Sequence, residues 1–257
     1  MRGELQATAE SAAQHPSQKY VIVDYPSTPP QIKGLQFNSA QAAFLAGYFA
    51  AGMTRTGKIA TFGGDKFATV TVFMDGFWEG VQYYNREHSA KVQLLGWDEP
   101  SQSGSFITPA DFNNPDAGRQ MTQTLQAQGA DIVFPVAGGT GVGAMAQAKA
   151  KASGGKLNVI WVDDDGFYSN PDYSSVIMTS VIKGIASAVS TVVTAAAAGD
   201  FNTTNYVGTL ANRGADLAPY HDFTSQVPAS LDNELTAAQQ NIINGTIKIT
   251  SPSQPLP

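Results

Sequence analysis

Short apolar runs alternate with amphipathic stretches along most of this chain. Tyr20–Asp24 (YVIVD) reads as a short apolar strand ending in a carboxylate, and Glu4–Gln14 before it as a helix. Ser39–Thr54 reads as a helix with Ser39 at its N-cap. Lys58–Phe62 (KIATF) reads as a strand followed by Gly63-Gly64, and Val72–Asn85 as a helix with Phe73, Phe77 and Val81 on one face. Val92–Trp97, Asp131–Val136, Asn158–Val162, Ser175–Ser180 and Tyr206–Leu210 read as further strands. Helices are predicted over Asp116–Gln128, after Gly138–Gly141, over Lys183–Ala198 and over Asp232–Asn244. The Pro-rich tail Ser251–Pro257 is expected to fray.

Apolar strands alternating with helices predict an α/β fold with a mainly parallel sheet covered on both faces. In such sheets ligands bind beyond the carboxyl ends of the strands. That directs attention to Asp24, Gly63-Gly64-Asp65, Gly138–Gly141 and Asp163–Asp165.

Composition narrows the chemistry. With no cysteine among 257 residues, thiol catalysis, thiolate metal sites and disulfides are excluded. Charged residues make up 14% of the chain and the net charge is −6, with no basic stripe, which argues against a nucleic-acid partner. The polar surface then falls to Thr, Ser, Asn and Gln, which points to an extracytoplasmic setting. The apolar stretches Ala42–Met53 and Ile185–Ala198 are too short to span a bilayer, and Met1-Arg2-Gly3-Glu4 opens no signal peptide.

Gly139–Ala144 fits G-x-G-x-x-A between a strand and a helix, with Asp163 at the next strand end. One reading is a dinucleotide fingerprint, in which backbone amides receive a pyrophosphate. That would make the chain an NAD-type oxidoreductase. Another reading is a different small ligand on the same turn, and a third is tight helix–sheet packing. Asp163-Asp164-Asp165 lacks the regular ligand spacing of a hard-metal loop. A strand-end carboxylate such as Asp163 can instead accept hydrogen bonds from a vicinal diol. His15, His88 and His221 are scattered in polar contexts and read as solvated surface. No nucleophile elbow is present, so no catalytic residue and no metal site is assigned.

Several segments, in order, resemble the basic membrane protein family, the purine-nucleoside-binding lipoproteins of ABC-type importers. They are Phe44-Leu45-Ala46-Gly47, Thr56-Gly57-Lys58, Gly63-Gly64, Phe73 through Val81, and Gln128-Gly129-Ala130-Asp131-Ile132. Ala137–Gly141, Val162–Asp165, Ser180–Lys183 and Gly214–Pro219 continue the series. The resemblance implies a type I periplasmic-binding-protein fold of two lobes, each with a mainly parallel sheet flanked by helices. It implies that Asp163 and Lys183 hold ribose hydroxyls, that Phe73 stacks on the base, and that Gly138 and Gly139 line the site through backbone. Thr140 and Asp165, in the same segments, complete the candidate set. No cofactor is implied. The partners implied are a nucleoside-like ligand and an ABC permease, with the membrane reached only through a lipid anchor absent from this chain.

The chain also departs from the family pattern. The N-terminal part of lobe one, with its base contacts, has no counterpart, so the first lobe is expected to be incomplete and its open sheet edge to allow self-association. Where the family carries glutamates before the Phe44–Gly47 motif, this chain has Asn38-Ser39-Ala40-Gln41. The expected partition assigns residues 1–55 with about 183–205 to lobe one and 56–182 with about 206–257 to lobe two. A non-transport sensor or a ligand-free scaffold remains an alternative.

Overall fold

The computed structural model describes residues 2–150 and 157–255. The first elements are α1 (Arg2–Gln14), β1 (Tyr20–Val23), β2 (Ile32–Phe37), α2 (Ser39–Met53), β3 (Lys58–Gly63) and α3 (Ala68–His88). Next come β4 (Gln93–Leu95), β5 (Trp97–Asp98), β6 (Ser103–Gly104), α4 (Pro115–Ala127), β7 (Ile132–Val136) and α5 (Val142–Lys149). The last are β8 (Asn158–Asp163), α6 (Gly166–Ser169), β9 (Ile177–Lys183), α7 (Ile185–Ala197), β10 (Tyr206–Gly208), β11 (Ala215–Leu217) and α8 (Ala229–Ile243).

The strands form two main sheets, and the fold is that of a two-lobed type I periplasmic binding protein. The smaller, parallel sheet has the order β1-β2-β10, and the larger has the order β11-β9-β8-β7-β3-β4. In the larger sheet all pairings are parallel except that of β11 with β9. Strand β7 (IVFPV) is buried at every position, as a parallel strand covered on both faces must be. Its pairing with β8 runs over Ile132 and Val133 alone, so Pro135, which has no N–H to donate, lies beyond that ladder.

Helix α2 is buried nearly all round and packs its backbone against α3. A Cβ on Gly47 would sit 2.1 Å from the Phe77 carbonyl oxygen, and one on Gly80 2.0 Å from that of Phe44. The glycines of the Phe44–Gly47 and Phe73–Val81 motifs therefore serve helix–helix approach.

Two elements pack with a different sheet from the one the expected partition gave them. Helix α2, expected in lobe one, joins the core of the larger sheet because its apolar surface has α3 to cover it. Strand β10, expected in lobe two, pairs with β2: Tyr206 lies opposite Leu35 and Gly208 opposite Phe37. Lys183 closes strand β9 and does not open the following helix, because β11 pairs Ala215 with it. The strand expected over Val92–Trp97 breaks at Gly96, whose φ of 85° interrupts the extended run between β4 and β5. At α2, Asn38 takes the N-cap position and makes no side-chain cap bond, while Ser39 is already helical.

Three crossovers join the two sheets side by side: Phe37–Ser39, Lys183–Ile185 and Gly208–Ala215. The Asn38 amide donates to the Gly208 carbonyl at 2.7 Å, and the Gly184 amide to that of Gly214 at 2.9 Å.

Candidate functional site

A cleft of about 590 Å³ opens where the crossovers meet. Asp24, Gln36 and Phe37 line it from the smaller sheet, and Ser39, Val72, Phe73 and Lys183 from the larger.

Its centre is the Lys183 ammonium. Asp24 extends β1 and Asp163 ends β8, so each is a strand-end carboxylate of a different sheet. Both take left-handed backbone conformations, with φ of 66° and 72°, a region that Asp tolerates better than most residues. These turns direct both carboxylates to Lys183 Nζ, at 2.8 Å for Asp24 Oδ2 and 3.3 Å for Asp163 Oδ1. Burial disfavours the charged ammonium, but Asp163 and Asp24 outweigh it and hold the lysine pKa above its ordinary value. The same nitrogen lies 5.9 Å from the Phe37 ring centroid and 5.7 Å from that of Phe73. A fixed cation, the Asp24 carboxylate and two aromatic rings thus line one cleft, while the Asp163 carboxylate reaches the same cation from beside it.

The structure brings Phe73, Asp163 and Lys183 together. Phe73 is 2% exposed and tilts against Phe134 from the core side. Gly138 (φ 53°) and Gly139 open the 3-10 turn Gly138–Gly141, where they face Phe112 and Asn113. Thr140 is buried and holds the Asp111–Asn114 loop: its hydroxyl accepts from the Asn114 amide and donates to the Asp111 carbonyl. Its own amide donates to the carbonyls of Phe112 and Ala137, so it is not free for a pyrophosphate. A Cβ on Gly143 would meet the Pro115 carbonyl oxygen at 1.9 Å, so this glycine permits α5 to lie against α4.

The three consecutive aspartates diverge and do not converge as metal ligands would. Asp163 faces Lys183, Asp164 accepts from Trp161 Nε1 and Ser169 Oγ, and Asp165 caps α6 through the Phe167 amide. Asp165 also lies 2.8 Å from His221 Nε2, and that ring stacks on Phe167 at 4.1 Å. His221 is therefore a packed residue and not the solvated one its sequence context predicts. His88 is likewise engaged, with Tyr48, Tyr84 and Glu234.

Sequence reasoning points to Asp24 as a strand-end carboxylate but not to its pairing with Lys183, and it misses the tail. Asp24 carries a signal, the shared Val-Ile before a closing Val-Asp in YVIVD and NVIWVD, but no pattern links it to Lys183. The tail gives no signal at all, yet Pro252–Pro255 lie against the cleft instead of fraying.

The family model described as "ABC transporter substrate-binding protein PnrA-like" matches residues 5–252. Basic membrane protein A2 of Borrelia garinii subsp. bavariensis is 28% identical over 247 residues, which are 91% of this chain and 65% of that protein. The chain thus spans just under two thirds of that relative's length. The ABC transporter nucleoside-binding protein BmpA of Lactococcus lactis subsp. cremoris is 28% identical over 260 residues, covering 96% of this chain and 68% of its own. Among solved structures, a solute-binding protein of an ABC transporter system from Aeropyrum pernix K1 superposes with a TM-score of 0.78 at 23% identity. That match covers 95% of this chain and 73% of the other.

Proposed function

The chain belongs to the family of PnrA-like ABC transporter substrate-binding proteins, and from that premise we propose that it captures a ribosyl ligand, a purine nucleoside above all, in the cleft between its sheets. The observation that carries this reading is Lys183 held between Asp24 and Asp163 at the mouth of two aromatic rings. A ribose presents two adjacent hydroxyls, each both donor and acceptor. Asp163 is half-exposed and has lone pairs to spare for their protons, while the ammonium donates to their oxygens. Hydrogen bonds to charged groups are worth about 1.5–3 kcal/mol each. A base seated on an aromatic face adds about 1–3 kcal/mol. The Lactococcus relative, named as nucleoside-binding, supports the same ligand class.

The mechanism is binding with lobe closure about the three crossovers. No bond is made or broken, so the protein acts as a carrier and not as an enzyme. We place it outside the cytoplasm, delivering ligand to an ABC permease. Among the described residues no helix is long and apolar enough to cross a membrane.

Isothermal titration with adenosine, guanosine, inosine and riboflavin tests this. Saturable binding of at least one at micromolar affinity or tighter is expected. No heat with any of the four would sink the proposal.

A further inference from the structure

The segment from Thr250 to Gln254 has no regular structure, yet buried polar groups of α3 tie it down. Thr71, Asp75 and Glu79 recur every four residues and so share one face of that helix. The Glu79 carboxylate accepts from the Thr250 amide at 2.9 Å. Asp75 accepts from Ser251 Oγ at 2.6 Å, and Thr71 Oγ1 pairs with Ser253 Oγ at 2.7 Å. These three anchors lead the chain along α3 into the cleft, where Ser253 and Gln254 form part of its lining.

Gln254 then sets the state of its neighbours. Its Nε2 donates to the carbonyls of Ile249 and Ser251, at 3.0 and 3.2 Å. Both amide hydrogens are thereby spent, so Oε1 is the atom presented to Asn38, which donates from Nδ2 at 2.8 Å. This orients the Asn38 amide and leaves Oδ1 as a buried acceptor. Asn38 Oδ1 and the adjacent Ser39 Oγ have no hydrogen-bond partner among the described residues. Ser39 is 1% exposed and lines the cleft. Buried polar groups are almost always paired, and two adjacent exceptions, one of them on the cleft-lining Ser39 and the other on the residue between it and the cleft-lining Phe37, point to a ligand that supplies the missing partners.

We propose that the C-terminal segment is a fixed wall of the cleft and that Gln254, Asn38 and Ser39 form a polar subsite for a ligand edge carrying a hydrogen-bond donor beside an acceptor. This rests on the nucleoside reading above and deepens it. Asn38 Oδ1 takes the donor and the Ser39 hydroxyl serves the acceptor. The six-membered-ring edges of adenine and hypoxanthine each offer such a pair, whereas unsubstituted purine riboside keeps the ribose and the ring but has no donor there.

The test is titration of the 257-residue chain with adenosine, inosine and purine riboside, with melting temperatures as a fold control. The unaltered chain should prefer adenosine and inosine to purine riboside. Asn38→Ala and Gln254→Ala should shrink that preference about three- to tenfold, the equivalent of one neutral hydrogen bond. Ser39→Ala should weaken adenosine and inosine by a similar factor without lowering the melting temperature, because its hydroxyl has no protein bond to lose. Measurable binding with unchanged preference in Asn38→Ala and Gln254→Ala, and unchanged affinity in Ser39→Ala, would overturn the subsite alone. Absence of binding of all three nucleosides by the unaltered chain would overturn the nucleoside reading and the subsite with it.

Discussion

Asp24 Oδ2 and Lys183 Nζ, 159 residues apart and on different sheets, lie 2.8 Å from one another. This ion pair spans the junction of the two lobes, and Asp163 joins it from the tip of β8. Removing the cation while keeping its bulk, as in Lys183→Met, leaves two carboxylates facing each other. Breaking a fully buried pair costs about 3–5 kcal/mol. Asp163 is half-exposed, so solvent screening lowers the expectation to about 2–3 kcal/mol. Urea unfolding should show that loss, and adding Asp24→Asn should recover part of it. An unchanged midpoint in Lys183→Met would contradict the arrangement.

Asp163→Ala separates ribose recognition from base recognition. If the carboxylate accepts from sugar hydroxyls, nucleosides should weaken by about ten- to a hundredfold while free bases change little. Equal losses for both, read by titration calorimetry, would remove the ribose role from Asp163.

Asp165 sits two residues further on, but its carboxylate is committed to the α6 cap and to His221. Asp165→Ala should cost about 1–2 kcal/mol of stability through the lost cap and partner. Nucleoside affinity should stay as it was. A large affinity loss at unchanged stability would return Asp165 to the ligand site.

Glu79 makes stability depend on pH. Burial pushes its carboxyl up to about 7, against the pull of the Thr250 amide and with the help of the neighbouring Glu99 and Asp75 charges. A carboxyl with a raised folded-state pKa stays protonated in the folded chain while the unfolded chain releases its proton. Its contribution is therefore full below the unfolded value near 4.5 and declines as pH rises to about 7. The melting temperature should fall across that window in the unaltered chain and flatten in Glu79→Gln. Parallel pH profiles for the two proteins would disprove the assignment.

The crossovers leave no room at Gly214. A Cβ there would lie 2.3 Å from the Gly208 Cα, a backbone atom that cannot rotate away. Gly214→Ala should destabilise by about 1–3 kcal/mol, the usual cost of overpacking, in a denaturant titration. Wild-type stability in this variant would mean that the crossovers are looser than described.

Much of this protein is written in local pattern. Runs such as KIATF and DIVFPV announce buried parallel strands because apolar periodicity and burial share one cause, and the alternation with helices is enough for the fold class. Asp163 was legible as a strand-end carboxylate for the same reason. What the pattern does not carry is pairing between distant segments. Lys183 belongs to β9 because β11 pairs with it, and β10 belongs to the smaller sheet because β2 is there to receive it. The tail looks like a frayed end until α3 offers Thr71, Asp75 and Glu79 as partners. Local sequence determined the fold class and most elements, but not the strands β2 and β11, which the pattern does not announce. Tertiary structure alone decided which side chains meet in the cleft, because hydrogen bonds and ion pairs act over a few ångströms in space, whatever separates their groups along the chain.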